Sequence, residues 1–388
     1  MKGKFLALAM MCLSTTLTSC FKDEPLNAEC DIEQAYIHVD NPEAMFFSKN
    51  DTLQKVLYTE NEINFDVRKE TDLIALAPRF VITEGATVQP ASGSVQDFSH
   101  GPVVYTVTSQ DGKWSRKYNV KFNIVTRTFT DSLRYDFNDY ALNKASQQYY
   151  EWTETTEDGT KTLNFWSTGN GGFAICRGSY APDQYPTIPL PGEGVDGGIA
   201  MKLTTSDTGP LGAIKNMRIA AGNLFIGKFD PQTALDPSKT MEATMFGRPT
   251  DVKPLTLCGY YKYKPGAKFQ NVKGKEVKGR IDKGSIYAVM YRNHDADGKD
   301  IVLHGDNVLT SDMIVGKAVL ENVETTDEWI KFDVPFVFSE EINEDLLANR
   351  GYSLAVVFSS SEDGAKFEGA VGSTLLISKV RVACAKTE

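Results

Sequence analysis

Few residues in this chain could do chemistry, and the most suggestive are aromatic. In Tyr260-Tyr261-Lys262-Tyr263-Lys264, strand alternation places Tyr261 and Tyr263 on one face and Tyr260, Lys262 and Lys264 on the other, so one face is wet. Flat C–H patches ringed by hydroxyls need an aromatic platform with hydrogen-bonding groups at its edge, and tyrosine supplies both. Two readings stay open: a sugar-binding platform, or a strand whose Tyr261 and Tyr263 are core with Tyr260 an ordinary surface aromatic. Trp166 is followed by the Gly-rich run Ser167-Thr168-Gly169-Asn170-Gly171-Gly172, with Arg177 close behind. A turn there would expose Trp166, Asn170 and Arg177 together, against the alternative of a plain loop between strands. Tyr149, Tyr150 and Trp152 add aromatic side chains upstream, which burial would equally explain.

Other chemistries find little support. Glycoside hydrolysis needs two facing carboxyls, and among 51 acidic residues the least arbitrary are Glu193 and Asp196, set among glycines in a loop. No Gly-x-Ser-x-Gly elbow or phosphate-loop motif is present. Asp295-Ala296-Asp297-Gly298-Lys299-Asp300 resembles half a calcium loop, but the remaining ligand positions fail, and a hairpin turn is expected. No cofactor is expected. A structural calcium lacks a clear motif, since Ser378 and Lys379 stand where an acidic ligand on the last strand would be needed. Four histidines form no His-x-x-x-His pair. Cys30, Cys176, Cys258 and Cys384 lie far apart in sequence; a Cys176–Cys258 bridge is open, but unpaired thiols are the expectation. A net charge of −10 with no basic run past the first residues argues against nucleic acid.

The elements that must hold these residues are strands. Ile63-Asn64-Phe65-Asp66-Val67 alternates, as do Tyr118, Val120, Phe122 and Ile124, and the latter pairs with Val104–Val107 through a turn at Asp111-Gly112. Ile330, Phe332, Val334, Phe336 and Phe338 repeat the period further on, and one helical turn is expected at Glu341 to Leu347. The chain is long enough for two cores. It reads as all-β: an immunoglobulin-like β-sandwich over residues 32–126, then, after a tight junction at 125–131, a larger jelly-roll β-sandwich over 132–388.

The first residues read as an export signal. Lys2 and Lys4 precede an apolar run from Phe5 to Leu13, too short to span a membrane. Leu17-Thr18-Ser19-Cys20 resembles a bacterial lipobox, which implies a signal over 1–19, lipidation of Cys20 and a tether over 20–31. Phe21-Lys22-Asp23-Glu24 resembles the tag that directs Bacteroidetes lipoproteins to the outer face of the outer membrane.

Three segments, Ala221 to Phe229, Phe246-Gly247-Arg248-Pro249 and Gly259 to Gly266, together with Val357 to Ser361 and Gly369 to Leu375, resemble the putative carbohydrate metabolism domain of Bacteroidetes lipoproteins. Leu76 to Phe80, Gly85 to Val88 and the segments after them resemble an immunoglobulin-like module of the same surface lipoproteins, which implies a spacer. The resemblance implies a lipid-anchored surface protein that binds polysaccharide or oligosaccharide beside neighbouring outer-membrane glycan-uptake proteins. Its candidate ligand residues are Trp166, Asn170, Arg177, Tyr260, Tyr261, Lys262 and Tyr263. A hydrolase with a jelly-roll catalytic domain, or a surface adhesin or assembly protein, is the alternative.

Overall fold

A computed structural model describes residues 25–155 and 161–386; Cys20 and the charged residues after it lie outside the described residues. The protein is all-β, with an immunoglobulin-like sandwich followed by a larger one.

In the first sandwich, Glu62–Arg68 runs parallel to Ser115–Val125, which pairs antiparallel with Val103–Thr108, and Thr87–Gln89 closes the sheet. The facing sheet orders Leu53–Lys55, Ile32–Tyr36 and Arg79–Ile82. The period-2 sequences do what alternation requires: Ile63, Phe65 and Val67 meet Tyr118, Val120 and Phe122 in one apolar core. Phe65 stacks on Phe122 at 4.8 Å. The Tyr118 hydroxyl accepts from the Ile32 amide and donates to Asp31, both at 3.0 Å, so one ring ties the two sheets together. Ile124 departs from the expected pattern. It is partly exposed because it lies beyond this core, facing the second domain.

The second sandwich packs an eight-stranded sheet against a six-stranded one. The first orders Trp166–Ser167, Asn223–Phe229, Tyr352–Ser359, Ser285–Arg292, Ile314–Val319 and Val337–Phe338, with Thr244–Phe246 and Arg248–Thr250 attached at its side. The second orders Thr187–Pro191, Ile199–Thr204, Thr374–Cys384, Pro254–Lys264 and Thr326–Pro335, with Ser132–Tyr135 beside Thr374–Cys384. Their inner faces supply one continuous core that includes Leu203, Leu257, Tyr263, Val356 and Ile377. The outer face of the eight-stranded sheet is covered as well: Phe225, Tyr287, Tyr291 and Val357 pack under Leu303 and Val308 from the 293–313 connection. The outer face of the six-stranded sheet carries Tyr260, Lys262 and Lys331.

Local chemistry sets the details. Asn343 caps the helix Glu344–Ala348, accepting from the Leu346 amide at 3.0 Å, three residues later than the sequence suggests for its start. The Asp295–Asp300 segment is a turn in which Asp295 accepts from the amides of Asp297 and Lys299 at 2.9 Å, and among the described residues no cluster of metal-ligating side chains occurs. Cys30, Cys176, Cys258 and Cys384 are free thiols.

The two sandwiches touch directly. Arg350 pairs with Asp66 at 3.2 Å and lies over the Phe47 ring at 5.4 Å. Arg68 donates to the Asn349 side chain at 2.9 Å, and Asn50 donates to Asp300 at 2.9 Å. Lys228 reaches Glu60 at 3.2 Å, and the Thr128 amide in the junction donates to Asp251 at 2.7 Å.

Candidate functional site

These contacts surround a cleft of about 1760 Å³ whose walls come from both domains. The first domain contributes Tyr58, Glu60, Asn61, Asn64 and Ile124; the second contributes Asn143, Tyr149, Glu151, Glu154, Asn164, Phe165, Lys228 and Arg248. A smaller recess of about 50 Å³ shares Glu60, Tyr149, Glu151, Asn164 and Lys228 and reaches Trp166. The first domain therefore lines part of this cleft.

Arg248 is placed by its neighbours. Gly247 has φ +94°, and a Cβ there would come within 2.8 Å of the Tyr291 ring, so only glycine lets the chain turn here. Its amide donates to the Ile226 carbonyl at 2.8 Å. The Arg248 guanidinium then lies over the Phe165 ring at 5.2 Å and donates to the carbonyls of Asn164 at 2.6 Å and Phe165 at 3.3 Å. Burial weakens its hold on the proton, while the charges of Glu60 and Asp66 oppose that. An arginine held by carbonyls is oriented without being neutralised.

The acids come from one strand, Tyr150–Thr155. Glu151 accepts from the Asn143 side chain at 2.5 Å; burial raises its carboxyl, and hydrogen bonds from Asn143 and Asn164 partly offset this. Glu154 is pushed up to about 7, chiefly by burial and further by Asp136 and Asp139. The Trp166 indole beside it opposes the rise, although its N–H reaches no acceptor at hydrogen-bonding geometry. Glu154 therefore holds a proton at pH values where ordinary carboxyls have lost theirs.

The residues singled out from sequence are dispersed. Trp166 is 1% exposed, packed edge-on against Tyr135 at 5.1 Å and Phe137 at 5.3 Å; its indole is core and not an open platform. The run after it is not an open turn but the helix Asn170–Arg177. Asn170 is fully buried, bridging both backbone groups of Thr187 at 2.8 and 3.1 Å, because a buried amide must satisfy its donor and acceptor. Arg177 points elsewhere, pairing with Asp207 at 2.6 Å. Tyr261 and Tyr263 are also core: the first accepts from the Glu324 amide at 3.1 Å, and the second donates to the Ser360 carbonyl at 3.2 Å. Tyr260 and Lys262 lie on the opposite, outer face, away from the cleft. Glu193 and Asp196 are exposed and outside the cleft, with Asp196 paired to Lys379.

The sequence reading missed the cleft itself. Its one accessible signal was Phe246-Gly247-Arg248-Pro249, which carried the family resemblance. The rest depends on strands from two domains meeting, and periodicity within either domain does not report that.

Comparison with known proteins agrees with this architecture. Residues 136–383 match the model described as putative carbohydrate metabolism domain, and residues 44–122 match one described as SGBP, N-terminal. A crystal structure of a putative glycoside hydrolase from Bacteroides thetaiotaomicron VPI-5482 is 36% identical, covers 95% of this chain and 100% of its own, and superposes with a TM-score of 0.78. A second, from Bacteroides vulgatus ATCC 8482, is 35% identical, covers 67% of this chain and 100% of its own, with a TM-score of 0.59. No curated protein sequence matches.

Proposed function

The chain belongs to the putative carbohydrate metabolism domain family, and we propose that it binds a neutral glycan in the cleft between its two domains without cleaving it. The observation that carries this reading is the composition of the cleft walls. Asn61 and Asn64 offer planar amides that donate and accept, as sugar hydroxyls require, while Asn143 and Asn164 hold Glu151 in the wall. Tyr58 and Tyr149 offer rings for the C–H faces. Lys228 and Arg350 are matched by Glu60 and Asp66 across the domain boundary, and the charges of the same two acids also reach Arg248, so the cations of the wall face carboxylates of the protein itself.

In this reading Cys20 anchors the protein in the outer membrane with the sandwiches on the cell surface, and the captured polysaccharide or oligosaccharide passes to neighbouring uptake proteins. The SGBP-type match of the first domain supports such a setting. Glycan-array binding by the full chain carrying Cys20→Ala, followed by a reducing-sugar assay on each hit, tests the proposal. Binding without sugar release is the expected result.

Hydrolysis is the second reading, and Glu154 favours it. A carboxyl poised near 7 in a cleft is the protonation state a general acid needs. The relatives named as putative glycoside hydrolases point the same way. Sugar release that disappears in Glu154→Gln would replace binding with catalysis as the function.

A further inference from the structure

The outer face of the six-stranded sheet differs in charge from the rest of the molecule. The chain as a whole has net charge −10, yet that face presents Lys202, Lys262, Lys264 and Lys331 around two partly exposed aromatic side chains, Tyr260 and Trp329. Lys331 is matched by Asp333 at 2.6 Å. Among the described residues, no carboxylate pairs with Lys202, Lys262 or Lys264.

Strand register fixes how these amines are spaced. Lys202 and Lys262 are both in register with Leu376 on the strand between them. They therefore stand about 10 Å apart, two strand spacings, and Lys264 lies about 7 Å beyond Lys262 along the same strand. The Lys262 ammonium sits 5.1 Å from the centre of the Trp329 ring, which holds the amine beside the indole. Tyr260 is in register with Lys331 in the next row. The outer face thus sets Lys262 and Lys264 beside Trp329 and Tyr260, with Lys202 two strands away across Leu376.

We propose that this face is a second binding surface, separate from the cleft, which takes an acidic polysaccharide of the uronate class. Trp329 and Tyr260 meet the C–H faces of the sugar rings, and Lys262, Lys264 and Lys202 meet carboxylates along the chain. A neutral glycan would leave those amines without partners. The periodic carboxylates of a polyuronate match a row of cations better than an isolated anion does.

Affinity electrophoresis of the full chain carrying Cys20→Ala, through gels containing polygalacturonate or neutral galactan, tests this. Polygalacturonate should retard the protein and galactan should not do so through this face. The retardation should fall at least tenfold in the Lys262→Ala/Lys264→Ala double variant and in Trp329→Ala, with unchanged melting temperature. It should recover in Lys262→Arg/Lys264→Arg, and weaken as salt rises. Tyr149→Ala, in the cleft, should leave it unchanged. Absence of polygalacturonate binding overturns the proposal. So does binding that survives the double alanine variant, binding that is lost with Tyr149→Ala, or a face that engages anionic phosphatidylglycerol vesicles but not polygalacturonate.

Discussion

Arg350 of the second sandwich lies 3.2 Å from Asp66 of the first, and the same guanidinium donates to the Pro249 carbonyl at 3.2 Å and covers the Phe47 ring at 5.4 Å. One side chain therefore links the domains next to the cleft that both of them line. Arg350→Ala should cost about 1–2 kcal/mol, more than a typical surface pair, because a ring contact and a carbonyl bond go with the ion pair. Calorimetry should show the first sandwich melting earlier, as a transition separate from the second.

Glu154 predicts a pH dependence of stability. Its folded-state pKa of about 7 lies above the ordinary 4.5, so the folded protein binds the proton more tightly than the unfolded chain. That favourable difference is complete below about pH 4.5 and is lost as pH rises towards 7. Glu154→Gln should leave stability unchanged at pH 4 and raise it by about 1–2 kcal/mol at pH 8, a figure reduced for the solvent that reaches the group. Denaturant midpoints at the two pH values measure this.

How much of this was legible in the sequence can be argued from neighbouring residues. Alternation correctly separated Tyr261 and Tyr263 from Tyr260 and Lys262, and it located the strands of both sandwiches, because a strand with one buried face must repeat every second residue. It also left open which tyrosine face was buried, and the structure buries Tyr261 and Tyr263. Trp166 failed as a surface residue for a different reason. Gly169 to Gly172 read as a turn, yet the segment is helical and anchored by the buried Asn170, a tertiary contact that outweighs local glycine preference. Glu154 carried no local signal at all; its raised pKa arises only when folding buries the strand Tyr150–Thr155 and brings Asp136 and Asp139 near.

The two tyrosines give a direct contrast. Tyr261→Ala empties a core site and orphans the Glu324 amide, and should cost about 3–5 kcal/mol. Tyr260→Ala, on the outer face, should change stability by less than about 0.5 kcal/mol. Equal effects in urea melts would mean that the strand register is wrong.

Asp282 is 2% exposed, and one of its carboxylate oxygens accepts from Ser361 Oγ at 2.6 Å, Ser373 Oγ at 2.7 Å and the Ala370 amide at 2.7 Å. It fastens the ends of strands from both sheets of the second sandwich. Asp282→Ala leaves those buried donors unsatisfied and should cost about 3 kcal/mol or more. Thermal melting of the variant reads the loss, and a change under about 1 kcal/mol would show that water substitutes for the carboxylate.

The most direct test of the central claim is isothermal titration of a glycan-array hit into the full chain carrying Cys20→Ala and into its Tyr149→Ala variant. Binding in the interdomain cleft predicts at least a tenfold loss of affinity in the variant, with the fold unchanged by circular dichroism. Identical affinities in the two proteins would contradict it and place the glycan somewhere other than the cleft.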